Sequence, residues 1–148
     1  MPFYPPGASI TAVDISRRML TQAGRRAIRS RCAVDLRLMD AQRLDLPRAA
    51  FDTVFATFVF CSVPDPVRGL REARRVCRPD GRLLLLEHMR PGRLLPGMLF
   101  DWLNPLTVRL TGAHINRRTL ANIEAAGWRL LSVEDLAWDV VRLIEAAP

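Results

Sequence analysis

The sequence contains no lysine. All 22 of its basic residues are arginine, set against 15 acids, for a formal charge of +7. A genome that favours arginine codons accounts for that bias without any function. The functional alternative is attraction to an anionic surface, nucleic acid or lipid headgroups. The pairs Arg17-Arg18, Arg25-Arg26, Arg74-Arg75 and Arg117-Arg118 are spread over three predicted helices. No basic stretch is interleaved with aromatics to stack bases, so nucleic acid is not an expected partner. Cysteine is scarce too: Cys32, Cys61 and Cys77 are widely spaced and form no CxxC pair. That excludes a disulfide framework and a zinc site, no metal is expected, and a reducing cytoplasm fits best. No apolar run approaches the roughly 18 residues needed to span a bilayer. The opening MPFYPPG has neither a basic nor an apolar signal region, so no signal peptide is expected.

What is present is a globular composition, 49% hydrophobic and 25% charged over 148 residues, which bounds the chain at one domain. The central stretch runs from Phe51 to His88. Phe51 to Phe60 is an apolar run rich in β-branched and aromatic residues, as expected of a strand buried on both faces. Ser62-Val63-Pro64-Asp65-Pro66 ends it, because two prolines cannot sit in a central strand. Pro66 suits the first turn of a helix capped by Asp65, which ends before Arg78-Pro79-Asp80-Gly81. Arg82 to Glu87 is a second buried strand. Strand, helix and strand make one parallel crossover, whose ligand edge lies at the carboxyl ends of the strands, Thr57 to Ser62 and Glu87-His88.

Before this unit, Ser9 to Ile15 reads as a strand ending in an acid. Ser16 caps a helix to about Ser30, with Met19, Leu20, Ala23, Ala27 and Ile28 on one face. Ala33 to Met39 is a further strand, closed by Asp40. After it, residues 89–115 form an insert. Its apolar part, Met98 to Leu110, is interrupted by Pro105 and suits plain core, a lid over an apolar substrate, or a membrane-surface segment. A helix to Ala126, ended by Gly127, and two strands (Trp128 to Leu136, Trp138 to Glu145) close the chain. The order of elements is that of a doubly wound α/β fold.

Asp14 and Asp40 stand at successive strand ends. A carboxylate at the first position can accept both hydroxyls of a ribose; an acid followed by small Ala41 at the second can accept from an adenine amino group. The structural alternatives are an acid complementing a helix dipole and a turn-forming aspartate. His88 and His114 are the only histidines, and His88 lies at the ligand edge. Cys61 reads as a small packed hydrophobe rather than a nucleophile.

Assembled, Ile10–Ser16 with Met19-Leu20, Leu38–Pro47, the Phe51–His88 unit and His114–Trp128 resemble the UbiE-like (methyltransferase type 11) subgroup of class I S-adenosylmethionine-dependent methyltransferases. They are particularly similar to small membrane-associated members related to alkyl-thiol and phospholipid N-methyltransferases. The resemblance implies a Rossmann-like sheet of order 3-2-1-4-5-7-6. It further implies methyl transfer from S-adenosylmethionine to a small lipophilic acceptor: a thiol, a phospholipid amine or a quinone precursor. Asp14, Ile15 and Met19 would hold the ribose side of the cofactor, Asp40 and Ala41 the adenine, Thr57 and Phe58 the methionine end. Cys61, His88, Phe100 and Trp102 would face the acceptor, with residues 89–115 as a lid. The expected location is cytoplasmic, with peripheral contact at the inner membrane face. The sequence departs from the family in having neither the first strand nor its glycine-rich loop, which lets backbone N–H groups approach the cofactor. Met1 is therefore expected to be internal to a longer natural chain. Two rivals remain: a non-catalytic methyltransferase fragment acting as a binding module, and a nicotinamide-dependent oxidoreductase.

Overall fold

The computed structural model describes residues 4–5, 7–89, 94–111, 117–137 and 140–148. They form two compact units, Met1–Asp45 and Leu46–Pro148.

The first unit comprises β1 (Ser9–Asp14), α1 (Arg17–Ala27) and β2 (Ala33–Leu38). The strands pair in parallel, in register from Ser9 against Ala33 to Asp14 against Leu38. Ser16 caps α1 as expected, its hydroxyl accepting from the Met19 N–H at 3.4 Å. Arg25 and Arg26 complement the dipole in the last turn. The helix stops at Ala27, and Met19 and Ile28, expected on a packed face, are exposed. No described residue of this unit is fully buried. One helix on two strands has too little volume to enclose a side chain.

The second unit comprises β3 (Phe51–Thr57), α2 (Pro66–Val76), β4 (Cys77–His88), α3 (Leu94–Thr111), α4 (Thr119–Ala125), β5 (Arg129–Ala137) and β6 (Val141–Ala147). Its sheet has the order β3-β4-β6-β5, with β3 parallel to β4 and the other pairings antiparallel. Asp65 caps α2 by accepting from the Arg68 N–H at 2.9 Å, and Pro66 opens the helix. Leu70, Ala73 and Val76 of α2 are buried, as are Leu83 and Leu85 of β4, Ile123 of α4, and Ile144 and Ala146 of β6. Buried Trp128 ties this core together, its indole N–H donating to the Leu70 carbonyl at 2.9 Å.

Taken separately, the order β1-β2 and the order β3-β4-β6-β5 each reproduce a run of neighbours in the implied methyltransferase sheet. The Rossmann-like α/β class stands as expected. Several details differ from the sequence reading. β3 ends at Thr57 rather than Phe60 and is not buried on both faces: Phe55 is 48% exposed. Among the described residues it is an edge strand, hydrogen-bonded within its sheet to β4 alone. β4 begins at Cys77, five residues before Arg82, because a register shift between Phe51 and Thr53 absorbs Arg78 to Gly81. Pro79 is tolerated at such an irregularity. Gly81 is required there, since a Cβ would lie 2.7 Å from the Asp52 carbonyl oxygen. The strand expected at Trp128 to Leu136 forms over Arg129–Ala137 but is mostly exposed, being the other sheet edge. Pro105 does not interrupt α3, which continues through it. Gly127 has φ +90°, as a helix-ending glycine should. No helix among the described residues is long and apolar enough to cross a membrane. His114, Phe3 and Trp138 lie outside the described residues.

Candidate functional site

In the second unit the parallel pairing of β3 with β4 brings their carboxyl ends side by side. Phe58 leaves β3 in the left-handed region, φ +54°, and its N–H still donates to the Leu86 carbonyl at 2.8 Å. A bulky residue in that region stores backbone strain and needs its surroundings to hold it. One such support is His88, whose ring centroid lies 4.5 Å from that of Phe58.

The rest of the support comes from Glu87. Alternation along β4 turns Leu83, Leu85 and Glu87 to the same buried face, so a carboxylate is delivered into the interior. There it accepts the backbone N–H groups of three consecutive residues: Val59 at 2.8 Å, Phe60 at 2.9 Å and Cys61 at 3.3 Å. A bend with three successive N–H groups on one side has no carbonyl to give them, and the carboxylate satisfies all three at once. Burial pushes the Glu87 carboxyl above its ordinary range, against the pull of those three donors.

Cys61 is buried beside this carboxylate, and its thiol donates to the Phe58 carbonyl at 3.4 Å. Burial, reinforced by Glu87, pushes its pKa up to about 11. It is therefore a neutral thiol at physiological pH and unsuited to nucleophilic work. Beyond it, the Ser62 hydroxyl donates to the Val59 carbonyl at 2.9 Å, and the Arg117 guanidinium to the Val63 carbonyl at 2.9 Å. The Arg117 Nε is buried with no hydrogen-bond partner among the described residues.

In the first unit the acids occupy a similar edge in a different way. The Met39 N–H donates to the Asp14 carbonyl at 3.1 Å, carrying the parallel pairing past the strand ends and setting Asp14 and Asp40 on one edge. Asp14 is half-buried; its Oδ1 accepts the Ser16 N–H at 2.7 Å. Among the described residues its Oδ2 accepts no hydrogen bond. Asp40 accepts the Gln42 N–H at 2.8 Å, and the Gln42 amide nitrogen lies 3.0 and 3.2 Å from its two oxygens. Ala41 is half-buried beside it, whereas Ile15 and Met19 are exposed. Asp40 thus performs the turn work foreseen as its structural alternative, and Asp14 accepts the N–H of Ser16, the residue that caps α1.

The structure brings Phe58, Cys61 and His88 together, with Thr57 exposed at the end of β3. Trp102 stands exposed on α3; Phe100 lies on the same helix, with its side chain outside what is described. Sequence reasoning missed Glu87 as the residue that organises this edge. The signal was there: a single acid inside LLLLEH, on the face that alternation assigns to the core, requires a buried partner.

Comparison with known proteins agrees with this architecture. The pattern of the methyltransferase domain family matches residues 2–85, more than half of the chain. A phosphatidylethanolamine N-methyltransferase of Cereibacter sphaeroides is 37% identical over 90 residues, covering 60% of this chain and 44% of that protein. The rat thiol S-methyltransferase TMT1B is 28% identical over 137 residues, covering 89% of this chain and 56% of the relative. The chain thus spans about half the length of these curated relatives. Among solved structures, the [4+2]-cyclase SpnF superimposes with a TM-score of 0.74 at 21% identity, over 94% of this chain and 65% of that one. The methyltransferase CalH, in complex with SAH, does so with a TM-score of 0.69 at 22% identity, over 94% and 42%. These structural likenesses establish the fold; the sequence pattern establishes more, and on it the chain belongs to the methyltransferase domain family.

Proposed function

We propose that this chain carries the cofactor- and acceptor-recognising parts of an S-adenosylmethionine-dependent methyltransferase that acts on a small lipophilic acceptor. The observation that carries the reading is the pair of acids at the carboxyl edge of parallel β1 and β2, within the stretch matched by the family pattern.

The residues fit the cofactor's nucleoside. The Ser16 N–H fixes one oxygen of Asp14, which orients the carboxylate, and Oδ2 is the atom to accept ribose hydroxyls. Ile15 and Met19 offer apolar surface next to it. Gln42 orients Asp40 in the same manner, with small Ala41 leaving room for an adenine. In the second unit, Thr57 and Phe58 end the strand at which the methionine portion is expected. Bound cofactor supplies a methyl group on a sulfonium sulfur, open to in-line displacement. That chemistry needs positioning and exclusion of water more than an acid or base, so the neutral thiol of Cys61 is no obstacle. The Glu87 cradle fixes the Phe58–Cys61 bend, and His88 with Phe58 presents an aromatic wall to the acceptor. Residues 89–115, with Phe100 and Trp102, are the proposed lid.

Relatives named for phospholipid, thiol and quinone-precursor methylation support an apolar acceptor of one of these classes. The binding-module alternative is favoured by one observation, the division of the strands into two sheets. Melting the 148-residue chain with S-adenosylhomocysteine or NAD separates the readings. A rise in Tm with S-adenosylhomocysteine alone supports methyl transfer, a rise with NAD supports hydride transfer, and a cooperative melt shifted by neither supports the binding module.

A further inference from the structure

At the amino ends of β3 and β4, opposite the ligand edge, the second unit holds a cavity of about 640 Å³. Four arginines line it, Arg48, Arg71, Arg74 and Arg75, and Glu72 is the only acid among the lining residues. Glu72 is already engaged. Its two oxygens accept from the Arg75 guanidinium at 2.9 Å each, and Arg75 also donates to the Leu46 carbonyl at 2.8 Å. Arg71 donates to the Ala125 carbonyl at 3.3 Å, and no described carboxylate pairs with Arg48, Arg71 or Arg74. Elsewhere in this unit Arg78, Arg82 and Arg142 pair with Asp52, Glu145 and Asp135 at 2.9, 3.4 and 2.6 Å. Codon bias explains the number of arginines, not the gathering of three without acids around one cavity.

The fold holds these side chains close together. Arg71 and Arg74 stand three apart on α2, which sets their Cβ atoms about 5–6 Å apart. The Arg74 guanidinium lies over Gly127, 3.6 Å from where a Cβ would stand there. Arg48 is brought to the end of α2 by its neighbours, since the Ala49 and Ala50 N–H groups donate to the Arg75 and Val76 carbonyls at 3.0 and 2.8 Å. Ala49 does so at φ +51°, a region that a residue with a Cβ keeps only when its surroundings hold it. The helix dipole accounts for Arg74 and Arg75 in the last turn of α2, but not for Arg48 in the loop or for Arg71. A guanidinium presents its donors as a planar fork that matches phosphate oxygens, and adjacent forks favour an anion with several such groups. No aromatic side chain lines the cavity among the described residues, so nothing there stacks a base.

We propose that this cavity binds an oligophosphate chain through Arg48, Arg71 and Arg74. It lies at the other end of the strands from the positions assigned to cofactor and acceptor and requires neither. The proposal is therefore independent of the methyl-transfer reading.

The test is isothermal titration of the 148-residue chain with sodium phosphate, pyrophosphate and triphosphate. Salt is held at about 0.15 M, where charges more than about 8 Å apart are largely screened. Triphosphate is expected to bind one to one, with affinity rising along the series as further guanidinium groups are engaged. Absent binding, or equal affinity for all three anions, would overturn the proposal without any variant. Arg48→Gln and Arg74→Gln are each expected to weaken triphosphate binding at least about tenfold, as loss of a charge-assisted hydrogen bond should, with Tm of the free chain unchanged. The pair Arg25→Gln with Arg26→Gln, on α1, removes more charge away from the cavity and should leave the affinity unchanged. An equal loss with that pair would reduce the effect to overall charge and overturn the proposal. Glu72→Gln removes the only acid of the lining and releases Arg75, so binding should tighten; weaker binding would contradict the assignment. UTP separates a free phosphate chain from a nucleotide and is expected to bind no more tightly than triphosphate. Tighter binding of UTP would overturn recognition of the phosphate chain alone, and hexaglutamate matching triphosphate would overturn it in favour of an acidic peptide.

Discussion

The two units of this protein use carboxylates at strand ends in opposite ways. In the first, Asp14 and Asp40 are half-buried and held by short-range bonds, from Ser16 and Gln42, in a unit with no fully buried residue among those described. In the second, Glu87 is wholly buried and holds a bend 26 to 28 residues away in the chain, on a core of leucine, isoleucine and tryptophan. A partly open acid anchored by one local N–H is oriented but still able to accept from a ligand. A wholly buried acid receiving three N–H groups is closed off from solvent and positions its neighbours. On the proposed function, the difference would separate recognition from scaffolding among the carboxylates.

The largest effect should come from breaking the scaffold. Glu87→Ala leaves three N–H donors without their acceptor, two of them buried, and removes a support of Phe58 at positive φ; we expect a loss of about 3 kcal/mol in urea unfolding. Next is Gly81→Ala. The new Cβ would meet the Asp52 carbonyl at 2.7 Å and the Cys77 sulfur at 2.8 Å. A loss of about 1–3 kcal/mol is expected from overpacking against backbone. By contrast, Asp40→Ala should reduce stability by only about 1 kcal/mol, since it forfeits bonds in a partly exposed turn. If Asp40→Ala proved as damaging as Glu87→Ala, the distinction between the units would fail.

The pH dependence sharpens the comparison further. A carboxyl whose folded pKa lies above its ordinary 4.5 binds its proton more readily in the folded state. Glu87 therefore lowers stability as pH rises from 4.5 through its folded pKa, and Glu87→Gln should abolish that part of the profile. Cys61 behaves alike at the alkaline end: stability falls between pH 9.0 and about 11, and Cys61→Ala should flatten part of that fall in thermal melts. The smallest effect is on reactivity. Cys32, which is only half-buried, should be alkylated by iodoacetamide at neutral pH well before Cys61 or Cys77, as peptide mapping would show.

Much of the second unit was legible in the sequence because its signals are local. Asp65-Pro66 marked the start of α2, Gly127 the end of α4, and the LLLL run a buried strand. The boundaries that moved depended on partners far along the chain. β3 was read as buried on both faces because Val54, Phe55 and Ala56 are apolar, and only strand pairing reveals that it is an edge. The early start of β4 rests on a register irregularity for which Arg78-Pro79-Asp80-Gly81, a turn in composition, gives no sign. Asp14 and Asp40 were readable as strand-end acids, since strand and acid are adjacent in sequence. Glu87 was not seen in its role, because its three partners lie a whole crossover away, joined to it only when β3 and β4 align.

The central claim, that the acids of the first unit recognise a nucleoside while Glu87 builds the fold, is tested most directly by titrating S-adenosylhomocysteine into the unaltered chain and into Asp14→Ala. Binding heats are expected for the former and an affinity at least about tenfold weaker (~1.4 kcal/mol) for the latter, with unfolding unchanged within about 1 kcal/mol. Identical titrations for the two proteins would contradict the account.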